Sequence, residues 1–193
     1  TVLGESALDA SVTGGNNTAI GKDALSANTS GSTNTAVGRE SMRLNTEGAA
    51  CVAIGSESLE ENTTGNNNIA IGVHAMGANT TGSMNTAIGR DCLAANSTGT
   101  FNVAVGIDAL ESNTTSSNNV AVGYYTLQAN TTGGSNIAIG RQALALNTTA
   151  SSNTAVGHNA LGANTTGTNL VAVGANALDA NTTANNNTAI GKD

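Results

Sequence analysis

The chain has 193 residues, a net charge of -7, no Pro or Trp, and an aromatic share of 2%. A globular core of this size is normally built on large side chains and a nucleic-acid partner calls for basic surface, so this composition disfavours both. No apolar run reaches the roughly 18 residues of a membrane helix and no basic-plus-apolar leader opens the chain, so we expect no nucleic acid and no membrane insertion in this segment.

A glycine preceded by Ile, Val or Leu recurs from Gly4 through Gly21, Gly38 and Gly55 to Gly191, at a constant interval of 17 residues. The consensus reads N-(T/V/I)-A-(I/V)-G-x-x-A-L-x-x-N-T-T-G-x-x, numbered here as positions one to seventeen from the first Asn. Loops of recurring globular domains vary in length, whereas coils stacked directly on equivalent coils cannot. Residues 1–193 therefore read as a single repeat array. We expect an all-β parallel solenoid or roll of about eleven 17-residue coils. The first repeat is degenerate, with Val2, Leu3 and Ser11 at consensus positions, and the last, Asn187-Thr188-Ala189-Ile190-Gly191, is full consensus. That asymmetry predicts a boundary near the N-terminus and a parent protein continuing beyond residue 193.

Within a coil, positions two to four predict a short strand, since position two is Thr, Val or Ile and β-branched residues suit strands. Alternation sets position three on one face and positions two and four on the other. Position four, which holds Ile20, Val37, Ile54, Ile71, Ile88, Val105, Val122, Ile139, Val156 and Val173, is expected to be core. The opposite face carries Ala19, Ala36, Ala53, Ala70, Ala87, Ala104, Ala121, Ala138, Ala155, Ala172 and Ala189. Its uniformity predicts close packing, most simply against another chain.

After the glycine, Lys22-Asp23-Ala24-Leu25-Ser26-Ala27 and its equivalents hold good helix formers, so one short helical turn per coil competes with a second strand. Position nine, comprising Leu25, Met42, Leu59, Met76, Leu93, Leu110, Leu127, Leu144, Leu161 and Leu178, completes the expected core. Position twelve is Asn28, Asn45, Asn62, Asn79, Asn96, Asn113, Asn130, Asn147, Asn164 and Asn181. These side chains suit either a hydrogen-bonded ladder along the axis or turn capping. Lys, Arg, Asp and Glu occur only at positions six, seven, ten, eleven and fourteen, which marks the solvent face.

Each coil supplies only about two large apolar side chains, thin burial against an ordering entropy of about 1.5 kcal/mol per residue. That shortfall predicts an oligomer, with a homotrimer as the leading choice.

The segments Asn17-Thr18-Ala19-Ile20-Gly21, Asn34-Thr35-Ala36-Val37-Gly38 and Asn136-Ile137-Ala138-Ile139-Gly140 resemble the N-S-V-A-I-G motif of YadA-type heads in trimeric autotransporter adhesins. The whole unit is also similar to repeats of phage and viral tail-fibre proteins. Those heads have shorter repeats without the Ala-Leu portion. The resemblance implies a left-handed parallel roll, trimerisation, and an extracellular place on a cell surface or virion fibre.

Chemistry-bearing residues are sparse. His74 and His158 fall in distant coils and read as isolated surface residues. Cys51 and Cys92 differ in phase and lie more than two coils apart, too far for a disulfide. Many Asn-Thr-Thr tracts match glycosylation acceptors, although turn residues of a repeat are the plainer reading. No phosphate loop, calcium-binding nonapeptide or nucleophilic triad is visible, so we expect no enzyme, metal or cofactor. The leading function is a structural shaft or head segment of a trimeric fibre that projects a binding tip. The alternative is direct adhesion to a host-surface or matrix ligand, and a third reading, ice binding, is weakened because Val and Ile interrupt the Thr of position two.

Overall fold

The computed structural model describes residues 1–10 and 12–192; Ser11 and Asp193 lie outside the described residues. Twelve strands, from β1 (Val2–Leu3) and β2 (Thr18–Ile20) to β12 (Thr188–Ile190), form one parallel sheet in sequence order. Equivalent residues pair throughout: Ala19 sits on Ala36, and Val37 on Ile54. The chain is therefore an all-β solenoid of about eleven turns with about 17 residues per turn.

No helix occurs among the described residues. The segment after each glycine instead alternates right- and left-handed backbone, with positive φ at positions seven and nine, as in Asp23 (56°) and Leu25 (52°). The alternation sends amides toward both neighbouring coils. The Asp23 amide donates to the Glu5 carbonyl of the preceding coil at 2.9 Å, and the Leu25 amide to the Ser41 carbonyl of the next at 3.0 Å. Helix propensity, worth tenths of a kcal/mol per residue, is overridden because a helical turn would leave those inter-coil partners empty. A left-handed residue other than glycine costs about 1–2 kcal/mol, so the stacking bonds outweigh a recurring strain.

Position five is the place where glycine is compulsory. Gly21 has φ +131°, and a Cβ there would lie 2.4 Å from the Gly38 carbonyl oxygen of the next coil. The same approach repeats from Gly4 to Gly174.

The strand faces inward the opposite way from the sequence-based expectation. Ala19, Ala36, Ala53, Ala70, Ala87, Ala104, Ala121, Ala138, Ala155 and Ala172 are fully buried inside the single chain, and Ala189 in the last coil is partly so. None of the ten is free to meet another chain. Ile20, Val37, Ile54, Ile71, Ile88, Val105, Val122, Ile139, Val156 and Val173 point outward, half-buried or exposed up to 40%. The reason is lumen width. Position nine already fills the interior, with side chains from Leu25 and Met42 to Leu161 completely buried and Leu178 partly so. Position eight lines the opposite wall and reaches the strand, where the Ser41 hydroxyl donates to the Ala53 carbonyl at 3.1 Å. Only a methyl group fits between them. An outward position two also explains why Thr alternates there with Val and Ile, since an inward hydroxyl would need a buried partner.

Candidate functional site

Three surfaces run the length of the rod: an amide spine inside it, the outward strand face, and the turn face at positions six, seven, ten and eleven.

The spine is built by the position-twelve asparagines. The Asn96 Nδ2 donates to the Asn79 Oδ1 at 2.8 Å and to the carbonyl of Gly99 in its own turn at 3.2 Å, while the Asn96 Oδ1 accepts from the Asn113 Nδ2 at 2.9 Å. Equivalent rungs link Asn28 through Asn181. One side chain thus serves as both ladder and turn cap. Asn28 and the ladder residues up to Asn164 are fully buried. A glycan on their amide nitrogen would displace both bonds, so in the folded coil these Asn-Thr-Thr tracts are turn residues.

Two further columns accompany the spine. At position one, the Asn17 Oδ1 accepts from the Asn34 amide at 2.9 Å, and its Nδ2 donates to the Gly31 carbonyl at 2.8 Å. At position thirteen, the Thr29 hydroxyl donates to the Thr46 carbonyl at 3.0 Å, and the pattern repeats coil after coil. Among the described residues no buried side-chain nitrogen or oxygen lacks a partner. The threonine column is missed by reading one repeat at a time. Aligning the chain by phase exposes it, since position thirteen is Thr or Ser from Thr29 to Thr182.

The strand face presents position four as an apolar column of Ile and Val, beside position two, where Thr alternates with Val and Ile. Ile54 is 40% exposed, Ile88 39% and Ile139 40%. Twelve strands about 4.8 Å apart, each about 10 Å long, give this face roughly 500 Å² in projection.

The turn face carries the charge. Arg39 bridges Glu40 and Glu57, Arg43 holds Glu60 at 2.6 Å, and Arg90 holds Asp91 at 2.7 Å. His74 Nδ1 meets Asp91 Oδ1 at 3.0 Å. Asp108 is the buried member, 3.7 Å from Arg90, and its loss of solvent raises its pKa. Residues 1–111 carry four of the six basic residues and eleven of the thirteen acidic ones, so the net charge of -7 lies there and the rest is neutral.

In that neutral part Tyr124 and Tyr125, the chain's only tyrosines, stack with centroids 3.8 Å apart and rings inclined by 27°. Gln142 and Asn159 follow Tyr125 in the position-seven column. Beside them lies a groove of about 300 Å³ lined by Gln142, Leu146, Asn159, Gly162, Ala163 and Asp179. A larger concavity, about 610 Å³, lies around Leu178 and Ile190.

Cys51 and Cys92 are buried, unpaired thiols, and burial pushes Cys92 up to about 12. Neither is poised as a nucleophile, because the thiolate is the reactive form. Among the described residues no group of three His, Cys, Asp or Glu side chains could hold a metal ion. No helix there is long and apolar enough to cross a membrane.

Comparison with known proteins finds no family model, no curated protein and no solved structure that matches this chain.

Proposed function

We propose that this chain is a structural shaft or head segment of an extracellular fibre, on a cell surface or virion, assembled as a homotrimer through its strand face. The observation that carries this reading is the outward double column of Val, Ile and Thr. The face covers roughly 500 Å² in projection, with an unbroken Ile/Val column at position four, and exposed apolar surface on this scale marks interaction sites. The face is flat, unbroken by charge, and repeats in register, so an identical chain is its natural complement. The role is mechanical: the rod places whatever lies at its end at a fixed distance. Its resemblance to trimeric adhesin and tail-fibre repeats points the same way.

The test is mass in solution by light scattering, together with a variant carrying Ile71→Glu and Ile88→Glu. The expected mass is three times the chain mass of 18.8 kDa, falling to one chain mass in the variant with the far-ultraviolet spectrum retained. A monomeric wild-type chain at high micromolar concentration overturns the assembly. A monomer that also produced thermal hysteresis near freezing would assign the face to ice.

A further inference from the structure

We propose that the turn face between Tyr124 and Asp179 binds a neutral oligosaccharide. The two tyrosines stack on each other and leave an outer aromatic face to solvent, with Tyr124 39% exposed on a rod with almost no other aromatic surface. Above them Gln142, Asn159 and Asn176 occupy equivalent places in successive coils, about 4.8 Å apart, a spacing on the scale of one sugar ring. Each is fixed by its backbone: the amides of Gln142, Asn159 and Asn176 all donate to the preceding coil at 2.9 Å. Rigid aromatic area combined with carboxamide donors and acceptors binds with little ordering entropy.

The groove has a structural cause. Position ten is Gly162 between Ala145 and Asp179, and a Cβ on Gly162 would lie 2.0 Å from the Asn159 Oδ1. Glycine therefore lets the Asn159 carboxamide lie over the coil and form one wall, with Leu146, 55% exposed, as the apolar one. Among the described residues Gln142 has no side-chain hydrogen bond, and Asn159 has only a long one of 3.4 Å to Asn176. Their donors and acceptors are open to a ligand.

The chemistry selects the ligand class. Sugar rings present apolar C–H faces to tyrosine and hydroxyl edges to carboxamides and carboxylates. Asp179 is the one charged residue lining the groove, and residues 112–193 carry no net charge, so no strong field favours an ion. An added peptide strand has no edge to pair with here, because the coils on either side already take up the backbone groups. The site lies on the turn face, so assembly through the strand face leaves it open, and three copies would add avidity.

The chain contains no Trp, so its tyrosine emission reports on the platform itself. Titrations of the intact chain with maltohexaose, cellohexaose and chitohexaose are expected to give a saturable change with at least one, half-complete at about 1 mM. Gln142→Gly and Asn159→Gly preserve the left-handed backbone and should each weaken that binding about tenfold, while Arg39→Ala leaves it unchanged. Calorimetry with Tyr125→Ala should show binding lost with the far-ultraviolet spectrum retained. No saturable response to any probe by about 10 mM, or undiminished binding in Asn159→Gly, overturns the proposal.

Discussion

Replacing Asn96 by Ala isolates the worth of one rung of the amide spine. The substitution deletes three hydrogen bonds: to Asn79 Oδ1, to the Gly99 carbonyl, and from Asn113 Nδ2. The three partners are not equally harmed. The Gly99 carbonyl still accepts from Asn85 at 2.8 Å, and Asn113 still donates to Ser116 at 3.2 Å. Asn79 Oδ1 is left with nothing, in a place fully closed to water. At about 1 kcal/mol per lost bond and about 1–3 kcal/mol for one orphaned buried acceptor, the loss is on the order of 4–6 kcal/mol. Asn28→Ala is the control. It deletes two bonds, to the Gly31 carbonyl and from Asn45 Nδ2, but the Gly31 carbonyl still accepts from Asn17 and Asn45 still donates to Gly48, so no acceptor is orphaned. Its cost should be about 2 kcal/mol. Repeat arrays need not melt as one unit, so hydrogen exchange read coil by coil is the right assay. Asn96→Ala should speed exchange in its own and both neighbouring coils, and Asn28→Ala should do so more weakly. Equal effects of the two substitutions would refute the assignment of the spine as the main polar element of the core.

Three other substitutions probe separate parts of the coil. Gly106→Ala places a Cβ 2.4 Å from the Gly123 carbonyl at φ +135° and should abolish local folding, whereas Gly15→Ala, with nothing within 4 Å, should leave circular dichroism and melting unchanged. Phe101 adopts φ 58° and is 55% exposed; Phe101→Asn, matching five other coils at that phase, should raise stability by about 1 kcal/mol in thermal denaturation. Asp108 has its pKa raised above the usual 3.8, first by loss of solvent. The folded state therefore holds that proton more tightly, its contribution is present below the unfolded value, and it is lost as pH rises through the folded one. Asp108→Asn should flatten that part of the stability profile measured by denaturant titration against pH.

The interval between glycines shows the stacking directly in the sequence, since a solenoid tolerates no drift in register. The leucine column and the solvent placement of charge follow from residue type at fixed phase. The inside and outside of the strand do not. Alternation puts Ala19 opposite Thr18 and Ile20 but leaves the direction open, and hydrophobicity alone favours Ile20 as the buried one. The deciding quantity is the width of the lumen, set by Leu25 from the far wall, which no single-strand pattern contains. The informative signal was tolerance: Thr18, Val52 and Ile69 interchange at position two, while position three holds Ala from Ala19 to Ala189. The turn departs from both its helical and its strand expectation for a related reason. Helix propensity in Lys22–Ala27 describes an isolated segment, and the preference reverses once each amide has a carbonyl waiting in the next coil.

Stacking also governs what the surface can carry. Residues at one phase lie about 4.8 Å apart, so like charges in a column repel unless something stands between them. The first half of the rod meets this with one device used twice. Arg39 straddles Glu40 and Glu57, and Arg90 straddles Asp91 and Asp108. In the second half the same phase is Tyr125, Gln142, Asn159 and Asn176, which need no interposed cation. The interior is nearly identical in both halves, because the position-twelve Asn column runs unchanged from Asn28 to Asn181 and the Leu column changes only to Met42 and Met76. A solenoid whose coils contact only their neighbours can therefore change its turn face coil by coil without disturbing its spine, so a charged stretch and a neutral, tyrosine-bearing stretch share one rod.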